Sequence, residues 1–355
     1  MRVRKGEGRS FGRGAWVKDE AMKTSQTPQF DLFFTGPDPD QPARAKPTTQ
    51  RRPMAIPRPT IMPDPETMAS QLEASGAYRV LRRLEPRPVL AGWTPALKGE
   101  GEKIGIILDT ETTGLDPSCE EIIELGMVMF TYGSHGIGDI VDVFSALREP
   151  KAPIRPEITR ITGITDEMVA GRSIDPAEVA AFIASADLVI AHNAKFDRPF
   201  CERFEPSFAD KPWACSIAEV DWTALGFEGS KLTYLVGQCG LFHNGHRAVD
   251  DCHALLEVLT CSRGSGESAL VGLVASAERR TCRIYALGSP FDLKDVLKGR
   301  GYRWSDGSDG RPKSWWIEVV ETDYDAERRF LTDEIYQRDC DPHSQWLTAT
   351  DRYKA

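Results

Sequence analysis

The sequence predicts an α/β protein, because runs typical of buried strands alternate with helical patterns. An apolar run at 106–108 continues through two acids to a glycine turn at 112–115. A second apolar run at 187–191 passes into a polar turn that opens a helix. Helical spacing then appears at Ala254, Leu255, Val258 and Leu259. With 355 residues, 41% of them apolar, the chain can bury a sizeable core and has room for more than one domain.

The first predicted strand carries two acids, Asp109 and Glu111, near its end. Strand alternation places both side chains on the same face. Two carboxylates held that close repel each other and perturb one another's pKa unless a cation lies between them, so the pair indicates a hard divalent metal. Taken alone, the pair is also compatible with an acidic strand end that faces solvent.

Two further segments carry polar side chains where helices begin. Asp197 lies in the first turn of the helix that follows 187–191. Further along, His246 precedes Asp251 by five positions. Asp251 is therefore anchored on a helix, whereas His246 lies on the approach to that helix and can move.

Together these segments resemble the three motifs of the DEDDh 3′–5′ exonucleases, a family of the ribonuclease H-like fold that includes the proofreading epsilon subunit of bacterial DNA polymerase III and ribonuclease T. The motifs occur in order, and the resemblance covers about Glu102 to Cys261. It implies a ribonuclease H-like mixed sheet flanked by helices. Of the two adjacent acids in the third motif, Asp251 rather than Asp250 has the family's spacing from His246.

The resemblance also implies a catalytic set, in which four acids bind metal and a histidine acts as base: Asp109, Glu111, Asp197, Asp251 and His246. Asp109 would bridge two ions roughly 3.5–4 Å apart. Glu111 and Asp251 would hold the ion on the nucleophile side, and Asp197 would serve the other ion through water. His246 would take the proton from the attacking water, a role that its ordinary pKa of about 6.5 suits. Oxygen-only ligands favour two Mg²⁺ or Mn²⁺ ions over zinc.

Four residues near the predicted site are candidates for contact with the terminal nucleotides. Thr112, Thr113 and Leu115 follow the first acids, and Leu115 is placed to wedge against the terminal base. Asn193 would contact the strand near the second motif. The alternatives are a core position for Leu115 and a turn in which the threonines bond their own backbone. His192 is expected to be structural.

The net charge of −9 hides an uneven distribution. Residues 1–60 hold 12 Lys/Arg against 6 Asp/Glu, a net of +6, whereas residues 102–260 hold 12 against 26, a net of −14. Because phosphate neutralisation supplies most non-specific affinity for nucleic acid, a core this acidic is expected to take only a short 3′ end. Metal ions would provide local positive charge, and flanking segments would supply the wider grip.

Residues 1–63 are expected to form a disordered, basic, Pro-rich tail, since eight prolines fall in the first 60 residues. One apolar island in this tail resembles the short peptide by which bacterial polymerases and repair enzymes dock on the sliding clamp. Its predicted contact residues are Gln29, Phe30, Leu32 and Phe33. The alternatives are a chance match of a short motif and a segment that folds back on the core. A similar string at 238–242 lies inside the core and is expected to be structural.

The remaining sequence predicts three more segments around the exonuclease-like domain of 102–261. Residues 64–98 are expected to form an accessory helix/strand arm or a solvated amphipathic arm, and 262–278 a linker. Residues 279–340 are predicted to form a small α+β module; its stretch 279–315 holds nine Lys/Arg against four Asp/Glu, a net of +5. The module is predicted to bind nucleic acid through basic and aromatic side chains, unless the aromatics form its core: Tyr302, Trp304, Trp315 and Trp316.

Composition agrees with an intracellular enzyme. No apolar run approaches a membrane span, and the basic start lacks the apolar stretch of a signal peptide. The eight cysteines include no C-x-x-C pair, so reduced, buried thiols and a cytoplasmic location are expected.

The expected function, given the resemblance, is metal-dependent 3′–5′ exonuclease activity that releases nucleoside monophosphates from single-stranded DNA ends. Its expected role is in DNA repair, proofreading or end processing, with the bacterial sliding clamp as a candidate partner. RNA 3′-end trimming stays open, because ribonuclease T uses the same acids. From another class, the alternative is a catalytically inactive, clamp-docked nucleic-acid-binding protein.

Overall fold

Eleven strands make three sheets in the computed structural model, which describes residues 64–134, 136–261, 268–308 and 310–354. In chain order they are β1 (Arg82–Arg83), β2 (Lys103–Thr112), β3 (Ile122–Gly133), β4 (Gly136–Leu147), β5 (Leu188–Ala191), β6 (Trp213–Cys215), β7 (Leu241–Phe242), β8 (Thr281–Ala286), β9 (Arg303–Ser305), β10 (Ser314–Val320) and β11 (His343–Leu347). The largest sheet has the order β4-β3-β2-β5-β6; β3 pairs antiparallel with β4 and β2, whereas β5 pairs parallel with β2 and β6. The predicted α/β class with a mixed sheet is confirmed.

Helices cover both faces of the large sheet. Over the described ranges the α-helices are α1 (Pro65–Ala74), α2 (Pro156–Thr162), α3 (Asp166–Val169), α4 (Pro176–Ile183), α5 (Ala194–Phe204), α6 (Ser216–Glu219), α7 (Leu232–Gln238), α8 (Ala248–Thr260), α9 (Ala269–Glu278), α10 (Lys294–Gly299) and α11 (Tyr324–Phe330). Short 3₁₀ segments lie at Pro95–Leu97, Pro206–Asp210, Phe291–Leu293 and Glu321–Asp323, and a π-helical turn at Leu331–Tyr336. One buried cluster joins the sheet to α7, α8 and α9, and another joins it to α4 and α5. Because both faces are covered, β3 is buried along nearly its whole length and β2 is buried from Ile104 to Leu108.

The two faces of β2 lead to different helices. Ile107 packs in the cluster that contains α8 residues, whereas Leu108 packs in the cluster that contains α5 residues. By strand alternation Asp109 and Glu111 continue on the α8 face, and Thr110 continues on the α5 face. The end of β2 therefore presents polar groups toward both helices.

A glycine on β3 lets the start of α8 lie directly against the sheet. A Cβ atom at Gly126 would lie 2.4 Å from the carbonyl carbon of Ala248 and 2.4 Å from the amide nitrogen of Val249, so no side chain fits there. Gly126 is paired with Asp109 across the β2–β3 ladder. The close approach therefore brings the first turn of α8, which includes Asp251, beside the acids of β2.

The segment 64–98 is tied to the large-sheet core at several points. β1 pairs parallel with β7, which is the end of the 238–242 string. Leu84 is buried in the α8 cluster, and Arg87 forms a 2.6 Å ion pair with Glu257 of α8. Arg82 pairs with two glutamates of α1. These contacts disfavour a freely solvated arm, although the exact boundaries of the arm stay a prediction.

The predicted linker at 262–278 is wrong for 269–278, which form α9. Leu270 and Leu273 are buried in the α8 cluster. The Gly- and Ser-rich sequence marks only the connection between two packed helices, because the apolar spacing that follows it is that of a helix with one buried side. Residues 262–267 lie outside the described ranges.

A four-stranded antiparallel sheet, in the order β11-β8-β10-β9, forms the C-terminal module together with α10 and α11. Its strands continue to Leu347, so the module extends beyond the predicted end at 340. Tyr302 belongs to the module core and Trp315 packs against it, whereas Trp304 is 52% exposed beside Trp315. The interleaved aromatics thus divide between core and surface.

The chain returns from the module to the large-sheet core. Arg198 of α5, which is fully buried, donates to the carbonyl oxygens of Thr350 at 2.7 Å and Arg352 at 2.6 Å. The amide of Trp213 in β6 donates to the carbonyl of Ala349 at 2.9 Å. Segment 348–353 is therefore part of the structure around α5, the helix that carries Asp197.

Replacing Arg198 by alanine is expected to lower the free energy of unfolding by about 3 kcal/mol, because several buried carbonyl oxygens would lose a charged donor. Arg160→Ala is the matched control, since Arg160 is exposed on α2 and its loss should change stability by less than about 0.5 kcal/mol. Urea denaturation of both variants measures the difference. Equal, small effects would contradict a stabilising role for the Arg198 contacts.

Several predictions concern residues or properties other than the three sheets. The predicted tail at 1–63, with the clamp-peptide residues Gln29, Phe30, Leu32 and Phe33, lies outside the described residues. Along the described ranges, no helix has both the length and the apolar character to span a bilayer. All eight cysteines are free, and Cys119 is exposed, which corrects the expectation that every thiol is buried.

Candidate active site

Three carboxylates meet at the end of β2, opposite the first turn of α8. Ligand oxygens of Asp109, Glu111 and Asp251 all lie within 4.8 Å of one another, and each residue is half-buried. The alternation of β2 supplies the first two, and the contact of α8 with Gly126 supplies the third. Three of the four predicted metal ligands are therefore brought together; we call them the acid cluster.

The fourth predicted ligand, Asp197, lies beside the acid cluster rather than in it. It is 3% exposed, and its Oδ1 accepts a 2.8 Å hydrogen bond from Thr110 Oγ1 on the α5 face of β2. Nevertheless, after burial, the charge of Asp197 is the largest cause of the raised pKa of Asp109. The position suits a residue that acts on the cluster across the strand or through water.

Burial and mutual repulsion raise the pKa values of these acids. Desolvation, followed by the charges of Asp197 and Asp251, holds the pKa of Asp109 well above its ordinary range. Desolvation raises the pKa of Glu111 to about 8, with Asp251 as the next cause, and desolvation also raises the pKa of Asp197 to about 7. So many carboxylates in one place are charged together near neutral pH only when positive charge is added.

Both carboxylate oxygens of Asp251 are hydrogen-bonded. Oδ1 lies 2.6 Å from His243 Nε2, and Oδ2 accepts a 2.8 Å bond from the backbone N–H of His246. His246 has a φ of 65°, the left-handed conformation that residues other than glycine seldom adopt, and its side chain is exposed. The turn thus fixes Asp251 through the backbone of His246 and leaves the His246 imidazole at the surface.

A buried ion pair holds the α8 turn to β3. Glu124, which is 1% exposed and paired with Glu111 across the ladder, accepts from Arg247 at 2.8 Å and from the backbone N–H of Ala248 at 3.0 Å. Glu124 therefore caps the N-terminus of α8, where a carboxylate is favoured by the unpaired N–H groups. The pair stabilises the turn that lies between His246 and Asp251.

Sequence reasoning missed His243, Glu124 and Arg247. Glu124 carried a usable signal, because a single acid in the middle of the apolar run of β3 must have a partner if it is buried. His243 carried none, since it lies outside the spacing of the third motif. Its side chain is 4% exposed, and its Nδ1 has no hydrogen-bond partner among the described residues.

The predicted nucleotide-contact residues lie at the same edge of the sheet with different exposures. Leu115 is 83% exposed, so the alternative that placed it in the core is wrong. The Thr112 hydroxyl donates to the carbonyl of Gly114 at 2.6 Å, which matches the turn alternative, whereas the Thr113 hydroxyl donates to the Glu120 side chain. Asn193 is exposed at the start of α5. Their contacts with nucleotides stay a prediction.

His192 has both ring nitrogens engaged. Nδ1 lies 2.8 Å from Ser216 Oγ and Nε2 lies 2.7 Å from the carbonyl of Ser230. Burial lowers the pKa of His192, which favours the neutral ring that such a pair of contacts requires. The geometry is that of the expected structural histidine.

The donor set of the acid cluster fits a hard divalent cation. All its ligand atoms are carboxylate oxygens, with neither sulfur nor imidazole in the group. Oxygen donors of this kind suit Mg²⁺, Mn²⁺ or Ca²⁺ better than zinc. The raised pKa values give the physical reason, because a cation would remove the repulsion that burial intensifies.

We expect the stabilisation by Mg²⁺ to grow as pH rises. Glu111 and Asp197 bind protons more tightly in the folded protein than in the unfolded chain, so the metal-free protein should lose stability between about pH 5 and about pH 8. Mg²⁺ competes with those protons. Melting curves with and without millimolar Mg²⁺, at about pH 6 and about pH 8.5, should show the larger Mg²⁺-induced shift at the higher pH. In Glu111→Gln this pH dependence should shrink; a larger shift at the lower pH in the unsubstituted protein would contradict the assignment.

Three nucleases are among the solved structures that resemble this chain. Exonuclease X in complex with 5′ overhanging duplex DNA is 25% identical, with a TM-score of 0.35 and coverage of 48% of this chain and 99% of the other. The nuclease domain of 3′hExo, described as a DEDDh family member bound to rAMP, is 21% identical, with a TM-score of 0.36 and coverages of 44% and 89%. E. coli exonuclease I in complex with a dA16 oligonucleotide is 14% identical, with a TM-score of 0.40 and coverages of 61% and 63%.

Sequence comparisons match the large-sheet core. The RNase_T family model, described as Exonuclease, matches residues 106–259. The DNA polymerase III subunit epsilon of Treponema pallidum is 33% identical over 162 residues, which cover 43% of this chain and 73% of that protein. The PolC-type DNA polymerase III of Thermotoga maritima is 33% identical over 175 residues, which cover 44% of this chain and 12% of that protein. The chain therefore spans only a small part of the PolC-type polymerases that it matches.

Proposed function

Because this chain belongs to the DEDDh exonuclease family, we propose that it is a metal-dependent 3′–5′ exonuclease that releases nucleoside monophosphates from single-stranded DNA ends. The observation that carries the proposal is the acid cluster, in which carboxylates from β2 and α8 converge within 4.8 Å. Asp197 beside it completes the four acids of the family. The intact set argues against the alternative of a catalytically inactive binding protein.

In this proposal the chain's own residues divide into ligands, a base and supports. Asp109, Glu111 and Asp251 would hold the ions, and Asp197 would act from the opposite face of β2. When bound, Mg²⁺ or Mn²⁺ activates water and stabilises the leaving 3′ oxygen by its charge. The exposed imidazole of His246, on a turn whose backbone is fixed to Asp251, takes the proton of the attacking water.

The nucleotide at the 3′ end is proposed to lie against the exposed edge formed by Leu115 and Asn193. The acid cluster disfavours a long run of phosphates, because each phosphate adds negative charge to a core of net −14. The proposed site therefore accepts only the last few nucleotides. Leu115 offers an apolar surface for the terminal base.

We propose DNA rather than RNA as the substrate because two relatives are named as DNA polymerases or their subunits: the PolC-type DNA polymerase III and the DNA polymerase III subunit epsilon. The acids alone do not distinguish the two, so RNA 3′-end trimming is the alternative that the assay must exclude. Repair, proofreading and end processing all require the same chemistry.

Clamp docking through Leu32 and Phe33 is a further proposal that rests on sequence alone. Calorimetry of the isolated 25–40 peptide with purified clamp tests it.

A 5′-labelled, single-stranded DNA should be shortened stepwise from its 3′ end in Mg²⁺ or Mn²⁺, and the reaction should stop with chelator. The matched control is the same strand with a blocked 3′ end, which should stay intact. An RNA of the same sequence, run in parallel, distinguishes the two substrates. Internal cleavage, or degradation of the blocked strand, would overturn the proposed function, whereas faster shortening of RNA would replace DNA by RNA as the substrate.

A further inference from the structure

The module sheet has one face packed on helices and one face that carries a row of aromatic and basic side chains. Cys282, Ile284 and Ala286 alternate along β8 and are buried in the module core. Tyr285 lies between them in sequence, so it projects from the opposite face. Tyr285 is only 2% exposed, but neither it nor its neighbour Trp316 on β10 belongs to the buried cluster that contains Cys282, Ile284 and Ala286. We call this second face the open face.

The strand register places four side chains in a single row across the open face. Tyr285 is directly paired with Trp316 on one side and with His343 on the other, and Trp316 is directly paired with Arg303. Directly paired residues of antiparallel strands project on the same side. The row His343, Tyr285, Trp316, Arg303 therefore crosses all four strands of the sheet.

Three guanidinium groups converge on one indole in this row. The Cζ atoms of Arg283, Arg303 and Arg311 lie 5.2 Å, 5.4 Å and 4.7 Å from the centroid of the Trp316 ring. A single favourable cation–π pair would stabilise the module; three cations around one ring repel each other and concentrate positive charge on an accessible surface. Glu318 pairs with Arg283 at 3.1 Å.

At the other end of the row an exposed imidazole lies on a buried phenol. The rings of His343 and Tyr285 have centroids 5.3 Å apart, with Tyr285 2% exposed and His343 exposed. The buried Tyr285 ring thus packs against the exposed His343 ring. The open face therefore offers the exposed ring of His343 on one side of the buried Tyr285 ring, and on the other side the arginines that pack on Trp316.

We propose that the open face of the C-terminal module is a second binding site for single-stranded DNA, in which His343 stacks a base while the arginines that Trp316 holds in place, Arg283, Arg303 and Arg311, contact phosphates. Aromatic platforms flanked by cations are the usual means of holding a single strand without sequence preference. The charge is complementary to DNA, whereas the core of net −14 cannot supply such a grip. The inference extends the proposed function, since the strand it holds is the substrate proposed above.

The test compares two double variants of the full chain that remove the same charge from opposite sides of the module. Arg303→Ala/Arg311→Ala removes two arginines of the open face. Arg328→Ala/Arg329→Ala removes two exposed arginines of α11, on the helix side. Binding of a labelled 20-nucleotide DNA is followed by fluorescence anisotropy over a salt series in chelator, so that cleavage plays no part.

The open-face variant should bind at least about tenfold more weakly at low salt and lose about 1.4 from the slope of log affinity against log salt, whereas the helix-side variant should match the unsubstituted chain. Trp316→Leu, with its melting temperature checked, should weaken binding by about tenfold, because the ring that holds the three arginines in place is lost. Unchanged binding of both open-face variants, equal losses in the helix-side control, or tighter binding of an RNA of the same sequence would overturn the inference.

Failure of this inference is distinguishable from failure of the proposed function. A chain that shortens DNA from its 3′ end but binds the 20-nucleotide strand equally well with and without the open-face arginines would retain its proposed activity and lose this site. A chain that binds through the open face yet cleaves nothing would retain this site and lose the proposed activity.

Discussion

Replacing Asp109 by asparagine is expected to reduce exonuclease activity about a thousandfold or more at saturating Mg²⁺. Asp109 belongs to the acid cluster, and after burial its pKa is raised by the charges of four other acids: Asp197, Asp251, Glu111 and Glu124. An amide at this position keeps the shape of the side chain but cannot supply the negative charge that a divalent cation needs. The measurement is single-turnover cleavage of a 5′-labelled strand.

The control for this variant is Asp250→Asn, which removes an acid one residue away from the cluster member Asp251. Asp250 is half-buried in the same helical turn but is not one of the cluster's three members. Its loss should change activity by less than about threefold. Metal-free Asp109→Asn should melt at or above the temperature of the unsubstituted protein, because a buried, repelled carboxylate has been removed. Full activity of Asp109→Asn would remove the acid cluster from the mechanism.

The positions of Asp109, Glu111 and Asp197 could be predicted because each depends on the local pattern of a strand or of a helix start. Alternation along β2 places Asp109 and Glu111 together, and the turn before α5 places Asp197 in a helix start. What the sequence could not predict was how helix α8 meets the sheet. That contact depends on Gly126, because a Cβ atom at this position would lie only 2.4 Å from the backbone of Ala248 and Val249. The need for glycine there is evident only once the helix is seen against the sheet.

Other features escaped prediction because they join residues far apart in the chain. The contact of Arg198 with the carbonyls of Thr350 and Arg352 has no periodic signature, and the sequence near 262–278 showed its turn residues but concealed a buried helix. In the module, composition indicated basic and aromatic residues together. Only the register of β8 and β10 showed which aromatic, Trp316, lies on the open face.

Two histidines flank the Asp251 carboxylate, and the structure gives them different expected effects. His243 is buried against Asp251 Oδ1, whereas His246 reaches Asp251 only through its backbone and exposes its ring. A buried ring in contact with a ligand orients that ligand and competes with the metal for it. An exposed ring on a turn can meet the attacking water. The family's spacing assigns the base to His246, and the two histidines can be separated by experiment.

His246→Ala is therefore expected to lower the maximal rate at saturating Mg²⁺ by about 100-fold or more, because the base is lost. His243→Ala should retain most of the maximal rate, while the Mg²⁺ concentration needed for half-maximal rate shifts by about tenfold, because Asp251 loses its neighbour. Rates over a range of Mg²⁺ concentrations measure both quantities for each variant. If His243→Ala instead loses the maximal rate and His246→Ala keeps it, the buried histidine is the base, and the turn at His246 serves only to hold Asp251 in place.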